Sequence, residues 1–393
     1  MGNAESCAAR RIDPRAIGAQ NRSMTRAIEV LPSDQCAARA EQFAREGLPS
    51  LNRAAIRARL EEADRNTVEI VCDVLRRLGA FTALQPEAPI DGILRSMRVA
   101  LPYQKLVRRW VVDLAEAGIL SRDGNGIHAG RLYEIPAPSD DSREAQAVTI
   151  VIDVVTGRRH VLEYVYGERR PEWFAAYTAA SYDDNEVFRY LHGIVAEIVA
   201  CRVGGATPEQ PLRILEVGAG TGSMTAALLP QLKPGASHYS YTDVSRGFIP
   251  DARKRFRAFG DLISFGVYDI NRDPIANNVT PASFDMVVAF DVLHCARDVG
   301  KTLDGVIALL RPGGVLINEQ LTRNRLGHLL LPGIMPGFTD FEDERLQTCR
   351  TLLAPAQWKE KLSAAGFVSC CFYPDDELVV DDLGQAVIVA TKP

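Results

Sequence analysis

One histidine closes an apolar run in AFDVLHCARD, residues 289–298, and one glutamate nearly closes another in GGVLINEQL, residues 313–321. An imidazole changes charge near neutral pH, so His294 can take a proton from a substrate. A carboxylate bonded to its second nitrogen selects the tautomer and stabilises the imidazolium. If the two runs are neighbouring strands of a parallel sheet, their carboxyl ends share the edge where ligands bind. The expected pairing is therefore His294 as base and Glu319 as its orienting partner. The competing reading of a lone histidine on an apolar run is packing.

A second constellation lies upstream. LEVGAGTGSMTAALL, residues 215–229, reads as strand, glycine turn and helix. Gly218, Gly220 and Gly222 let the backbone bend sharply and approach a ligand without a Cβ in the way. Glu216 precedes the first glycine by two residues, and Asp243 closes the following strand 21 residues after Gly222. A carboxylate at that strand end accepts hydrogen bonds from a ribose diol. Alone, such a glycine pattern also fits other nucleotide-binding domains.

These residues need elements to hold them. From Pro211 onward RILEVGAG, SHYSYTDV, ISFGVYDI, FDMVVAFDVL, GGVLINEQL and AVIVATKP read as strands, with amphipathic helices between them. That alternation predicts a mostly parallel sheet covered on both faces, in a domain spanning 206–393. Residues 1–65 read as a polar arm and helices. Over 66–133, TVEIVCDVLRRLGAF ends at Gly79, and YQKLVRRWVVDLAEAGIL places Leu106, Trp110 and Leu114 on one stripe. SRDGNGIHA then reads as a hairpin, completing a winged-helix-like pattern that could pair two subunits. In 134–205, a connector, VTIVIDVV and HVLEYVYG read as strands about Thr156-Gly157. The aromatic stretch from Pro171 reads as a helix that could cover a pocket.

LEVGAGTG, the Asp243 strand end and Asp269-Ile270 together resemble motifs of class I S-adenosylmethionine-dependent methyltransferases, over roughly 211–393. The resemblance implies a Rossmann-like, seven-stranded fold with S-adenosyl-L-methionine as cofactor. By it Glu216, Gly218, Gly220 and Gly222 surround the cofactor's amino-acid end, Asp243 holds the ribose, and Asp269 and Ile270 frame the adenine. Phe290 and Asp291 then lie where the methyl points. SYDDNEVFRY, YSYTDVS, the VLH of DVLHCARD, RPGGVLINE and LLAPAQWKEKLSAAGF are similar, more narrowly, to C-methyltransferase domains of polyketide synthases. This implies deprotonation of a β-keto or similarly activated acyl thioester, free or on a carrier protein, by His294 with Glu319. Tyr182 would be the oxyanion donor or substrate anchor. Ile334, Met335 and Phe338 stand where that family has tryptophans, so the acceptor stays open. The winged-helix-like module resembles the dimerisation domain of small-molecule O-methyltransferases, so O-, N- or S-methylation of a free metabolite by a homodimer is the alternative.

Composition limits the remaining classes. The 393 residues carry 45 Lys and Arg against 50 Asp and Glu, a net charge of −5 that disfavours general nucleic-acid binding. Residues 1–130 hold 19 basic and 16 acidic side chains, a near balance that leaves a DNA-binding winged helix as the less favoured alternative. No apolar run is long enough for a membrane helix, and no secretory leader is visible. The eight cysteines are scattered, and neither they nor the six histidines show metal-ligand spacing. A metal-free cytoplasmic protein with reduced thiols is expected.

Overall fold

The computed structural model describes residues 33–81, 87–124, 126–165, 167–173 and 185–393. The described residues divide into two compact units, one within the bounds 1–52, 182–323 and 353–393 and one within 53–181 and 324–352. Helix α1 (Ser33–Gly47) belongs to the first unit.

The second unit begins with helix α2 (Arg53–Arg77), which runs without a break through the expected boundary at 65/66. Gly79 stops it at φ +71, the left-handed conformation that a side chain resists. Strand β1 (Glu87–Ala88), helices α3 (Ile90–Ser96) and α4 (Gln104–Glu116), and strands β2 (Ser121–Asp123) and β3 (Gly126–His128) follow. The strands form a small antiparallel sheet in the order β1-β3-β2, turned at Gly124. Leu106, Trp110 and Leu114 are completely buried, as the stripe requires. The Trp110 Nε1–H donates to the Leu329 carbonyl at 3.1 Å, tying the returning segment 324–352 to α4.

The stretches VTIVIDVV and HVLEYVYG are not strands. The first lies in helix α5 (Arg143–Val155), and part of the second forms the short helix α6 (Leu162–Val165). Ser142 caps α5 by accepting the Ala145 N–H at 3.1 Å. Val148, Val151, Val154 and Val155 recur at helical spacing and are fully buried. Packing of that face overrides the strand preference of β-branched residues.

The first unit resumes with α7 (Glu186–Gly204). Then come β4 (Leu212–Val217), α8 (Ser223–Leu228), β5 (Ser237–Asp243), α9 (Phe248–Arg255), β6 (Ile263–Val267) and β7 (Phe284–Phe290). Helix α10 (Val299–Leu309), β8 (Leu310–Leu321), α11 (Pro355–Ala364), β9 (Ser369–Tyr373), α12 (Glu377–Leu383) and β10 (Gln385–Thr391) complete it. The seven strands have the order β6-β5-β4-β7-β8-β10-β9, and β10 alone runs antiparallel to its neighbours. The chain winds outward from β4 through β5 to β6, then crosses to β7 and β8. The switch point between β4 and β7 opens a crevice at the carboxyl edge, where ligands bind in such sheets. Leu316 of β8 packs with Leu293, Leu303, Trp358 and Leu362 in a core on one face of the sheet.

The cysteines are not all reduced. Cys36 of α1 and Cys201 of α7 form a disulfide, with their Cα atoms 5.6 Å apart. The same two helices touch closely enough that a Cβ on Gly193 would lie 2.6 Å from the Phe43 ring. Close packing thus brings together two cysteines 165 residues apart, which their spacing could not show. Among the described residues no helix is long and apolar enough to cross a membrane.

Candidate functional site

The glycine turn between β4 and α8 is built as its spacing predicts. Gly218, Gly220 and Gly222 have φ of 65, 53 and 80. A Cβ on Gly218 would lie 2.4 Å from Val292, and one on Gly222 would lie 2.7 Å from Phe256. Gly220 faces open space, its nearest neighbour being its own loop's Gly218 carbonyl at 3.9 Å. A ligand can therefore approach the backbone there.

Glu216 lies wholly buried beneath this turn. Its Oε2 accepts the hydroxyls of Thr225 and, at 2.9 Å, Tyr239, whereas Oε1 has no hydrogen-bond partner among the described residues. Burial pushes the carboxyl up to about 7, against the pull of those two hydroxyls. Asp243, at the end of β5, accepts the Gly220 N–H at 2.9 Å and the Ser245 N–H at 2.7 Å. Burial raises its pKa, and those two N–H groups oppose the rise. Each oxygen keeps a lone pair for a further donor. Asp269, just beyond β6, uses Oδ1 to accept the Asn271 N–H at 2.9 Å. The Ile270 carbonyl accepts the Thr302 hydroxyl at 2.9 Å. An orphaned carboxylate oxygen, an open glycine backbone and two strand-end acids are a donor and acceptor set that fits a nucleoside carrying an amino-acid group.

On the other side of the switch point, Phe290 ends β7 and Asp291 follows with φ 50. The Asp291 N–H donates to the Glu319 carbonyl at 2.8 Å, and its Oδ1 accepts the Leu321 N–H at 2.9 Å. These two bonds hold a backbone conformation that a side chain ordinarily avoids. Burial pushes the Asp291 carboxyl up to about 7, and the Leu321 N–H opposes it.

His294 is buried and reaches the end of β8, but its partner there is not Glu319. Its Nδ1 lies 2.7 Å from Nε2 of Gln320, and 3.9 Å from Oδ1 of Asp291. Gln320 Nε2 also lies 3.1 Å from that same Asp291 oxygen. Consecutive side chains of a strand point to opposite faces. Gln320 shares its face with Leu316, on the side of the core that holds Leu293. Glu319 shares the opposite face with Ile317 and meets His192 of α7, whose Nε2 is 3.5 Å from Glu319 Oε2. Among the described residues, neither Glu319 oxygen nor His192 Nε2 has a hydrogen-bond partner. Burial pushes Glu319 well above the ordinary carboxyl range and His192 down to about 4. His192 also packs edge-on against Phe290, with ring centres 4.8 Å apart.

The sequence reading missed Gln320 and His192. Strand alternation was the available signal: only one of residues 319 and 320 can share the face of Leu316. Tyr182 lies outside the described residues, as do Phe174 and Tyr177.

Residues 215–316 match a family described as a methyltransferase domain. The chain carries a methyltransferase domain. Together with its N-terminal helices this domain has the fold of the CurJ carbon methyltransferase crystal structure. The TM-score is 0.76 at 23% identity, over 90% of this chain and 98% of that one. Polyketide synthase ThaG of Burkholderia thailandensis is 34% identical over 261 residues, which are 64% of this chain and 4% of that protein. Polyketide synthase ThaQ of the same organism is 30% identical over 318 residues, 73% of this chain and 15% of that protein. The methyltransferase chain thus spans a small part of the curated relatives it matches.

Proposed function

We propose that this methyltransferase methylates the acidic carbon of a β-keto or similarly activated acyl substrate in specialised-metabolite biosynthesis. The observation that carries the proposal is a buried imidazole, His294, on the same sheet edge as the glycine turn and its buried Glu216. The names of the relatives support it, since they are polyketide synthases and one matching structure is a carbon methyltransferase. The same relatives favour an acyl group carried as a thioester on a carrier protein. A homodimer joined through the winged-helix-like module, and a cytoplasmic location, complete the proposal.

S-adenosyl-L-methionine, when bound, supplies an electrophilic methyl group. The residues that would hold it are Gly218, Gly220 and Gly222 with Glu216 at its amino-acid end, Asp243 at the ribose, and Asp269 and Ile270 at the adenine. Phe290 and Asp291 would border its reactive end. His294 Nε2 takes the proton of the substrate carbon, and the C–H electron pair stays behind as an enolate. Tyr182 donates to the enolate oxygen. A heteroatom acceptor presents lone pairs and depends less on such a base, so the buried imidazole favours carbon.

Replacing His294 by Ala is expected to lower turnover about 10²–10⁴-fold, the usual range for a positioned base. Calorimetric titration should show cofactor affinity nearly unchanged. An acyl thioester deuterated at the acceptor carbon should lose deuterium on methylation. Full retention of the label in a methylated product would refute carbon as the acceptor.

A further inference from the structure

The carboxamide of Gln320 stands between His294 and Asp291, within 2.7 Å of one and 3.1 Å of the other. All three groups are held in place. Gln320 is fully buried and His294 nearly so, while Asp291 is clamped to the end of β8 by Leu321 N–H and by its own N–H to the Glu319 carbonyl. An amide differs from a carboxylate in having two unlike ends. Its NH₂ only donates and its oxygen only accepts, and the two ends occupy nearly the same space.

We propose that Gln320, not Glu319, is the positioning residue for His294, and that the proton on Asp291 selects the imidazole tautomer through the Gln320 amide. The inference rests on the reading of His294 as the base. Ionised Asp291 can only accept, so it draws the amide NH₂. The second amide hydrogen then points to His294 Nδ1, which must be unprotonated, and the imidazole proton sits on Nε2. In that state His294 offers substrate a hydrogen-bond donor. Protonated Asp291 donates instead, so the amide turns its oxygen toward both neighbours. Nδ1–H then donates to that oxygen, and the Nε2 lone pair is the one that takes a proton. One proton on Asp291 therefore separates the donor state from the base state.

The raised pKa of Asp291, about 7, places the exchange near neutrality. Among the described residues, the other titratable groups packed nearby are Glu319, whose carboxyl lies on the far face of the sheet, and His192 of α7 beyond it. Burial keeps both neutral through this range. They add no competing charge.

The test reads the tautomer directly, from ¹⁵N–¹H correlation spectra of the full chain with ¹⁵N-labelled histidine, the His294 signals assigned by their loss in His294→Ala. With rising pH the His294 proton is expected to move from Nδ1 to Nε2. In Asp291→Asn the tautomer should no longer depend on pH. In Gln320→Glu, nearly isosteric, an ionised carboxylate should hold the proton on Nδ1 throughout the range in which the imidazole is neutral. It should also move the acidic limb of the turnover profile to higher pH, because it favours imidazolium. Glu319→Gln should titrate like the wild type. A pH-dependent tautomer that survives in Asp291→Asn, or that disappears in Glu319→Gln, overturns the proposal. Should Asp291→Asn fail to fold, Gln320→Glu decides alone: a proton on Nε2 there is the contrary result. If the spectra behave as expected while labelled methyl never reaches an acyl thioester, the tautomer assignment stands and the substrate reading falls. If carbon is methylated while the tautomer ignores Asp291, the substrate reading stands and the tautomer assignment falls.

Discussion

At the scale of single residues, burial weighs on both members of the pair His192 and Glu319. Both are buried, and among the described residues three of their polar atoms lack hydrogen-bond partners. Each such group gives up water without full compensation, at a cost of about 1–3 kcal/mol. The neutral forms reduce this cost, and burial drives both groups toward them. Glu319→Met fills a similar volume without polar oxygens. It is expected to raise the unfolding free energy by about 1–2 kcal/mol, measured by urea denaturation near neutral pH. A loss of stability would show that the carboxyl makes a favourable interaction in the folded protein. Glu319 also illustrates how much of the site was legible. That a polar residue ends β8 beside the switch point follows from the strand pattern. Which of the adjacent residues 319 and 320 meets His294 depends on the parity of the strand against its two covering layers. Parity needs the partners of Leu316 and Ile317, which lie far away in the chain.

At the scale of elements, glycine turns and apolar stripes were legible because their causes are local. Gly79 ends α2, Gly124 turns the small hairpin, and the Leu106–Trp110–Leu114 stripe is buried within α4. Helix α5 shows where local reasoning failed. Its run of Val and Ile satisfies strand propensity, while the same residues also recur every three or four positions. The Ser142 cap and burial of that valine face decide for helix. Ser142→Ala removes the acceptor for the Ala145 N–H and should cost about 1 kcal/mol. Thermal unfolding should show a lower midpoint, and Ser142→Asp should restore most of it, because aspartate accepts the same bond and suits a helix N-terminus. The strand β9 was missed for a related reason: SCCFY carries only five residues and no alternation, and it is defined by pairing with β10.

At the scale of the whole molecule, several buried acids give the fold a common response to pH. Glu216, Asp243, Asp291 and Glu319 all have folded-state pKa values raised chiefly by burial. A carboxyl with a raised pKa holds its proton in the folded state after the unfolded chain has released it. The stability it contributes is complete below its unfolded pKa and is lost as pH rises through its folded pKa. For Glu216 the window runs from 4.5 to about 7, a change of about 3 kcal/mol. His192 acts in the other direction over 6.5 to about 4, where the unfolded chain takes up a proton that the folded chain refuses. Four carboxyls against one imidazole leave a net fall in stability from mildly acidic to neutral pH. Glu216→Gln keeps an acceptor for Thr225 and Tyr239 but cannot ionise. In urea unfolding of the ligand-free chain, the variant should lose less stability than the wild type between pH 4.5 and 7. The difference should level off above that range, because Glu216 is then ionised in both states. Parallel curves for the two proteins would mean that Glu216 enters the fold with its ordinary acidity, and that its burial beneath the glycine turn is compensated by charge or donors other than Thr225 and Tyr239.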